Sequence, residues 1–508
     1  MNRAAIRRPG WLGVAMILAG GAILRFWNIT AGLPYRIGVD EPVIANHAVQ
    51  MMKSGDFNPH FFDYPGLYLY VQLLLGCARF LVGASAGMWR SLDQFYPDHL
   101  FLWARTLNAA IGTMTILIVY RAGSRWGHWS ALLAALLMAV WPNHVRESHF
   151  ALTDVPMTFL TALALLLSLR ARESGEVRSF LAAGASVGFA AATKYPGAIG
   201  LVMPLIAAAA TGQPRAAARN AFAATAAAGG AYLLGAPYTV LDMPAFLNSF
   251  AVLSSTFRPR PFADGARIYA TYLIGASGWF GGVMAAVGVG WGVVCGLRDR
   301  SRGNLAKWAL LIVFPLVFFT FFATKNLIFG RYLLPLLPFV CLLTAIVVVD
   351  LLTWVAQWPQ PLWIRTAAAA TLLIAVLYPP ARQGIDWPRH YGAPTTQDIA
   401  YRLIRSYIPE GSAVVVECPE LRLPRPAYRV LEPSHLTARS PEEYVSTGVT
   451  FLVASSDALG SVLRPVAGSS TDQAYRELLN DPQQCLPTVE PTAAIEGPRI
   501  WICRLQTP

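Results

Sequence analysis

The chain has 508 residues, of which 55% are hydrophobic and only 13% are charged. Soluble domains carry about 25% charged residues, so this composition excludes an ordinary soluble protein and indicates a polytopic membrane protein. The net charge of +12 does not indicate nucleic-acid binding, because the part from Ala381 to Pro508 has 12 Arg, no Lys and 14 acidic residues. The excess basic charge therefore lies between hydrophobic segments, where it is typical of membrane orientation rather than of a phosphate-backbone surface.

Twelve hydrophobic segments are candidate membrane-spanning helices by length and lack of charge. They lie near residues 11–30, 67–86, 100–121, 128–146, 155–171, 179–194, 196–211, 219–236, 270–296, 306–323, 332–355 and 363–379. The first follows Arg7 and Arg8 and is long enough to span, so we interpret it as a retained signal anchor. The alanine-rich run 216–231 indicates a closely packed span with small residues.

The distribution of Lys and Arg distinguishes eleven crossings from twelve, because these residues concentrate in short cytoplasmic loops. If 67–86 does not cross, the cytoplasmic segments are the N-terminus, 121–127, 170–178, 214–219, 298–307 and the turn at Arg365, and every one is basic. We therefore predict eleven spans, a cytoplasmic N-terminus and an extracytoplasmic tail. Residues 31–99 then form one long outer loop, in which 67–86 is an interfacial helix with Tyr68 and Tyr70 at the membrane boundary. An ordinary second span is the alternative, since hydropathy alone accepts it.

The tail, residues 381–508, has the pattern of a small α/β domain. TTQDIAYRLIRSYIP has apolar residues at helical spacing, and AVVVE, GVTFLVAS and RIWICRL have the pattern of strands. In a hairpin centred near residue 494, Cys485 and Cys503 face each other, so we predict a disulfide between them, with Cys418 as the competing partner. None of the six cysteines has a zinc-ligand spacing.

Charged and aromatic residues collect at the predicted outer ends of the spans. Carboxylates and cations on one membrane face suit the transfer of a glycosyl group from a lipid phosphate. A carboxylate accepts the proton of the attacking hydroxyl, and cations stabilise the charge that develops on the departing phosphate. The residues are Asp40, Glu41, Asp63, Asp154, Lys194, Tyr195, Lys325, Arg331 and Tyr332.

The order of these motifs resembles a known superfamily. VDEP in a long first outer loop, YPGLYLY, LTDVP, an outer KY pair and GRYLLPLLP together look like the GT-C glycosyltransferases that use polyprenyl-phosphate sugars. The similarity is strongest to the branch with protein O-mannosyltransferases and the lipid A aminoarabinose transferase, families 39 and 83. The similarity covers about residues 5–380, and we predict that residues 1–380 form the transmembrane catalytic domain. The tail, residues 381–508, also looks like the extracytoplasmic domain of bacterial members.

The resemblance implies an inverting hexosyl- or pentosyltransferase of the bacterial plasma membrane. Its partners would be a polyprenyl-phosphate-linked sugar donor, a hydroxyl acceptor on a protein, lipid or glycan, and the bilayer itself. No cofactor and no metal are implied: relatives that use a metal carry paired acidic residues in the second loop, whereas Asp154 is followed here by Val155 and Pro156.

The resemblance also assigns roles to individual residues. Asp40 matches the catalytic base, and Glu41 its companion that shapes the acceptor site. Asp63 matches an acidic residue that relatives place before a proline, but Tyr64 follows it here, where the aminoarabinose enzymes have a lysine. Asp154 matches the second-loop acid and Arg331 a phosphate-binding arginine. We further predict that substrate contacts Lys194, Tyr195, Tyr332 and His47.

Each assignment has a structural alternative. Asp40 and Asp154 also suit helix caps, and Glu41 suits a helix N-terminus. Lys194 and Arg331 are also suited to interfacial anchoring, and His47, like His144 and His149, to a purely structural role. A transporter and a non-catalytic glycan-assembly subunit are alternative functions. Transporters usually place ionisable residues near the midplane on broken helices, which is not the pattern found here.

Overall fold

The structure is a computed structural model of the chain. It describes residues 11–33, 40–299, 301–418, 421–424, 427–433, 435–460, 462, 470–492 and 495–505. These residues form two compact units. The first contains the described residues of Met1–Ile29 and Val43–Pro388, and the second those of Thr30–Pro42 and Arg389–Pro508.

The first unit is helical, and each of the twelve predicted hydrophobic segments contains a helix. The helices are α1 (Trp11–Phe26), α2 (Glu41–Ser54), α3 (Gly66–Ser85), α4 (Phe101–Gly123), α5 (His128–Val140), α6 (Pro142–Glu147), α7 (Asp154–Ser174), α8 (Val177–Thr193), α9 (Val202–Ala209), α10 (Pro214–Gly235), α11 (Tyr238–Leu241), α12 (Met243–Thr256), α13 (Phe262–Arg298), α14 (Arg302–Ala323), α15 (Leu337–Val355) and α16 (Leu362–Tyr391). Two 3-10 helices, Tyr195–Leu201 and Gly330–Leu336, lead into α9 and α15.

Seven of the described helical segments are long and apolar enough to cross a membrane: Gly66–Ser85, Phe101–Gly123, Asp154–Ser174, Phe262–Arg298, Arg302–Ala323, Gly330–Val355 and Leu362–Tyr391. Four shorter apolar segments accompany them: Trp11–Phe26, His128–Val140, Val177–Thr193 and Tyr195–Ala209. The protein is therefore an integral membrane protein. The interfacial placement of α3 stays a prediction, because α3 also has the length and composition of a span.

Three helix boundaries differ from the predicted segments. The segment 128–146 is split at Trp141, whose backbone (φ −63°, ψ 117°) is extended because the residue before a proline is kept out of the helical region. Helix α13 is interrupted at Gly278, where φ is 72° and a Cβ would lie 2.8 Å from Pro379. Helix α16 continues through Pro379 and Pro380 to Tyr391, twelve residues beyond the predicted end of its apolar segment.

Helices α8 and α10 pack at very short range through small residues. A Cβ on Gly184 or Gly188 would collide with the backbone of Ala224 or Ala228, respectively. The small residues recur every four positions on both helices, so the two backbones meet along one stripe. The prediction that the alanine-rich run is a closely packed helix is confirmed.

Tyr68, which was expected at the membrane boundary, is packed inside the protein rather than exposed at its surface. Its side chain is buried, and its hydroxyl donates a hydrogen bond to Asn108 Oδ1 at 2.9 Å. The Asn108 amide in turn donates to the carbonyls of Phe150 and Leu152 at 2.7 and 2.8 Å. A buried hydroxyl requires such a partner, so Tyr68 links α3 to α4 and, through Asn108, to the loop between α6 and α7.

The second unit contains a four-stranded sheet. Its strands are β1 (Ala413–Glu417), β2 (Arg429–Leu431), β3 (Phe451–Ser455) and β4 (Ile500–Arg504). The order is β2-β1-β3-β4, with β1 parallel to β2 and β3, and β4 antiparallel to β3. The three predicted strands are confirmed as β1, β3 and β4, whereas the short β2 was not predicted.

Helices cover both faces of this sheet, because successive strand residues point to opposite sides. Val414 and Val416 pack with Ile404 of α17 (Thr396–Tyr407). Val415 packs with Tyr444 of α18 (Pro441–Ser446) and Tyr475 of α19 (Ser470–Leu479). A small C-terminal α/β domain is the result.

The disulfide between Cys485 and Cys503 is present, as predicted, and Cys418 is not part of it. The two cysteines are antiparallel bridge partners, as are Val489 with Ile500 and Thr492 with Ile495. The predicted hairpin is thus confirmed, although residue 494 at its centre lies outside the described residues.

Candidate active site

A buried ion pair between Asp154 and Lys194 is the central feature of the predicted outer loops. Asp154 Oδ1 and Lys194 Nζ are 2.7 Å apart, and the side chains are only 3% and 12% exposed. Asp154 is the first residue of α7, where the helix dipole favours a negative charge. Lys194 directly follows α8 in an extended conformation. Asp154 is therefore not the N-cap of its helix, because Thr153 occupies that position.

Aromatic rings surround the lysine. Its Nζ lies 4.8 Å from the centroid of the Tyr332 ring and 5.9 Å from that of Tyr64. Both distances are within the range of cation–π attraction. Three segments that are far apart in sequence thus meet at Lys194: the first loop, the end of α8 and the 3-10 helix Gly330–Leu336.

Glu147, at the end of α6, is a second buried carboxyl in this region. Burial raises its pKa to about 7; the negative charge of Asp154 acts in the same direction, and Arg146, Arg331 and Lys194 oppose it. Arg146 Nε is 3.6 Å from the Glu147 carboxylate. The sequence analysis did not single out Glu147. Its position in the sequence was a signal that it could lie near Asp154, since Glu147 precedes Asp154 by seven residues in the same predicted loop.

Arg25 of α1 holds the end of α5 and the start of α6 in place. It was not among the site residues predicted from the sequence. It is fully buried, and its guanidinium donates to the carbonyls of Met138 and Ala139 at 3.0 and 2.9 Å, which are at the end of α5. It also lies 2.9 Å from His144 Nδ1. A guanidinium only donates hydrogen bonds, so His144 Nδ1 is the acceptor of this bond. An arginine inside an apolar run is a recognisable signal.

Both second-loop histidines have structural partners, as expected. His149 Nδ1 and Nε2 lie 2.9 Å and 3.0 Å from the carbonyls of Val145 and Trp27. In the first loop, His47 Nδ1 is 2.7 Å from the carbonyl of Val43, and its ring is 4.4 Å from that of Phe61. These contacts favour the structural reading of His47 over direct contact with substrate.

Tyr195 ties the first loop to the end of α8. Its hydroxyl donates to the carbonyl of Phe62 at 2.7 Å, and its ring contacts Phe250 of α12 at 5.4 Å. Asp63, the residue after Phe62, contributes a negative charge that acts on the Tyr195 hydroxyl. Tyr195 therefore positions the loop that carries Asp63 and Tyr64.

The segment before α13 pairs with the segment that precedes Arg331. The amide of Arg260 donates to Thr324 O at 2.8 Å, and that of Asn326 to Arg258 O at 3.0 Å. The Arg331 guanidinium lies 5.0 Å from the Phe329 ring, and its charge acts on Glu147. The structure thus places Arg331 beside Asp154, Lys194 and Glu147, and we call these four residues together with Arg146 the lysine cluster.

Asp40 and Glu41 belong to the second compact unit. Asp40 directly precedes α2, and Glu41 is the first residue of that helix and is buried. Their approach to the lysine cluster stays a prediction. Among the described residues, no group of three or more His, Cys, Asp or Glu side chains has a geometry that could hold a metal ion.

Residues 39–218 match the model of the dolichyl-phosphate-mannose-protein mannosyltransferase family. A stretch of 114 residues is 28% identical to dolichyl-phosphate-mannose–protein mannosyltransferase 1 of Saccharomyces cerevisiae. That stretch is 21% of this chain and only 14% of the yeast protein.

Solved structures cover far more of the chain. ArnT from Cupriavidus metallidurans, in the apo state, matches with a TM-score of 0.57 and 17% identity over 97% of each chain. The chain has the GT-C fold. The apo oligosaccharyltransferase of Archaeoglobus fulgidus matches with a TM-score of 0.58 and 14% identity, over 90% of this chain and 71% of that one.

The match to ArnT includes both the helical unit and the sheet domain, since it extends over nearly the whole length of both proteins. The mannosyltransferase family match begins at Val39 and ends within α10. It therefore includes Asp40, Glu41, Asp63, Asp154 and Lys194, whereas Arg331 and Tyr332 lie beyond it.

Proposed function

We propose that the protein transfers a sugar from a polyprenyl-phosphate donor to a hydroxyl acceptor on the extracytoplasmic face of the membrane. The observation that carries this proposal is the buried, ion-paired Lys194 under the Tyr332 ring, with Arg331 adjacent. A structure of ArnT from Cupriavidus metallidurans is described as bound to undecaprenyl phosphate. One from Archaeoglobus fulgidus is described as a complex of AglB with dolichol-phosphate and an inhibitory peptide.

The lysine cluster has the charge needed for a lipid phosphate. It combines Lys194, Arg331 and Arg146 with the carboxyls of Asp154 and Glu147. The cluster is net positive when both carboxyls are ionised, and more so when Glu147 is protonated. In the proposed complex, Arg331 holds phosphate oxygens bidentately and Lys194 acts as a point charge.

Asp40 is the proposed general base. It takes the proton of the acceptor hydroxyl as the oxygen forms a bond to the anomeric carbon. The bond from that carbon to the phosphate oxygen breaks, and polyprenyl phosphate leaves with the electron pair. Attack opposite to the leaving group inverts the anomeric centre. Lys194 and Arg331 stabilise the charge that grows on the phosphate, and this preorganised electrostatic stabilisation is usually a large term.

Glu41, Asp63 and Tyr64 have proposed roles in binding. Glu41 begins α2 next to Asp40 and shapes the acceptor side. Tyr64 lies over Lys194 and Asp63 precedes it, so this short segment contacts the donor near its phosphate. Tyr195 holds the segment in place through its bond to Phe62.

The test is transfer from a panel of radiolabelled polyprenyl-phosphate sugars by the purified protein in lipid. Asp40→Asn should lower transfer by about a hundredfold or more, the usual contribution of a general base. Asp56→Asn is the matched control: Asp56 is also an acid of the first loop, but it is exposed and paired with His60 at 2.9 Å. Equal loss in both variants, or full activity of Asp40→Asn, would refute the catalytic assignment. Binding of a donor without transfer would support the assembly-subunit alternative.

A further inference from the structure

A second cluster of charged and aromatic side chains lies at the opposite end of the helices. Asn108, in the first turns of α4, bonds to the loop between α6 and α7. The second cluster lies beyond the other end of α4. It lines a cavity of about 380 Å³ between the α4–α5 turn and helices α13, α14 and α15. We call it the tryptophan cavity and define it by Arg125, Trp126, Trp291, Lys307, Trp308 and Asp350.

The cavity presents N–H groups that could donate hydrogen bonds to an anion. Lys307 Nζ donates to the Arg125 carbonyl at 2.8 Å and lies 4.8 Å from the Trp126 ring. Among the described residues, the Arg125 carbonyl is the only hydrogen-bond acceptor for the three N–H groups of Lys307. The indole N–H of Trp126 is buried and has no hydrogen-bond partner among the described residues. A buried donor without an acceptor is costly, so an acceptor supplied by a ligand would satisfy it.

The same cavity also has one carboxylate. The indole N–H of Trp291 donates to Asp350 Oδ2 at 2.9 Å, which fixes the orientation of that side chain. Arg125 is partly neutralised by Glu173 at 3.2 Å, so Lys307 and Asp350 are the main opposite charges at the wall of the cavity. A ligand that carries both a phosphate and an ammonium group would match both.

We propose that the tryptophan cavity binds the headgroup of a zwitterionic, ethanolamine-type phospholipid. The phosphate oxygens accept from Lys307 and from the Trp126 N–H, and the ammonium group pairs with Asp350. The location favours a lipid over a free ion, because the cavity lies where the apolar helices end. Trp291 is 41% exposed there, and tryptophan is the side chain typical of the membrane–water interface.

The test measures binding of short-chain lipids to the full chain in detergent by isothermal titration calorimetry. Dihexanoyl-phosphatidylethanolamine should bind. Dihexanoyl-phosphatidylglycerol should bind about tenfold more weakly, and dihexanoylglycerol, which lacks the phosphate, should not bind. Lys307→Gln should weaken binding of the ethanolamine lipid about tenfold, and Trp126→Phe about threefold, as expected for losing a charged and a neutral hydrogen bond. Asp350→Asn should remove the preference for ethanolamine over glycerol.

Arg178→Gln is the matched control, because it removes an exposed cation from the first turn of α8, at the same end of the helices. This variant should bind the ethanolamine lipid as the wild type does. Trp126→Phe keeps an aromatic six-membered ring and removes an N–H that has no partner among the described residues, so this variant loses none of the described protein hydrogen bonds even if Lys307→Gln folds poorly. Equal binding of the ethanolamine and glycerol lipids, an equal effect of Arg178→Gln, or equally tight binding of free phosphoethanolamine would each overturn the proposal.

Discussion

At the scale of single residues, the ion pair of Lys194 and its proposed contact with the donor phosphate can be tested separately. Its ion pair with Asp154 is almost fully buried. Removing one partner of a buried pair leaves an uncompensated charge and typically costs about 3 to 5 kcal/mol, whereas replacing both partners by neutral groups costs much less.

We expect Lys194→Gln to lower the apparent melting temperature clearly, and Asp154→Asn/Lys194→Gln to recover most of that loss. Binding of a polyprenyl phosphate should nevertheless be weaker by about tenfold in both variants, because both lack the cation that would contact the phosphate. Thermal unfolding and lipid binding in detergent measure the two effects. If the double variant bound the lipid phosphate as the wild type does, Lys194 would have only a structural role.

Glu147 gives the site a pH dependence with a definite sign. Its pKa in the folded protein is about 7, above the ordinary value of a glutamate, so the folded state retains a proton that the unfolded state has lost. Stability should therefore decrease as the pH rises from about 4.5 to 7 and level off above that range. Glu147→Gln mimics the protonated side chain and removes this loss.

The expected result is that Glu147→Gln and the wild type have similar melting temperatures at pH 5, and that the variant is more stable at pH 8, by up to about 3 kcal/mol. Melting curves across this range measure the difference. Glu477→Gln, an exposed glutamate in the second unit, should show no such pH-dependent gain. A constant difference between Glu147→Gln and the wild type at every pH would contradict a raised pKa.

At the scale of elements, the sequence predicts which segments are helices but not how they are interrupted. Apolar length and small-residue content identify the helices, because lipid requires continuous internal hydrogen bonding. The Gly278 break depends on contact with Pro379, more than one hundred positions away. The burial of Glu147 and the role of Arg25 at the end of α5 likewise depend on neighbours from other helices. The meeting of Asp154, Lys194 and Tyr332 was predictable, because the predicted topology places all three at one face of the membrane.

The contact of α8 with α10 makes a prediction at this scale. Gly188→Ala should destabilise the protein, because its Cβ would collide with the backbone of Ala228. Gly229→Ala, on α10, is the matched control: a Cβ there meets no atom within 4 Å, and alanine is favoured over glycine in a helix by about 1 kcal/mol. Melting temperatures should fall for the first variant and stay equal or rise for the second. Equal effects of the two variants would contradict close packing at Gly188.

At the scale of the whole molecule, the number of crossings decides which loops share a face. Arg105 and Asn108, in the first turns of α4, contact Ile29 and Phe150, and His149 contacts Trp27 just after α1. Helix α4 thus begins at the end of the helical unit where α1 finishes. The chain between them enters and leaves on the same side, which favours the interfacial placement of α3 and eleven crossings.

We therefore expect Asp56→Cys and Ser91→Cys, which flank α3, to react with a membrane-impermeant maleimide from the same side of the membrane. Glu176→Cys, in a basic loop, should react only after permeabilisation if the basic loops are cytoplasmic. The background would have Cys77, Cys295, Cys341 and Cys418 replaced and would keep the Cys485–Cys503 disulfide. Labelling of the residues at 56 and 91 from opposite sides would mean that α3 crosses. In that case Asp154 and Asp40 could not share a face, and the proposed transfer reaction would lose its base.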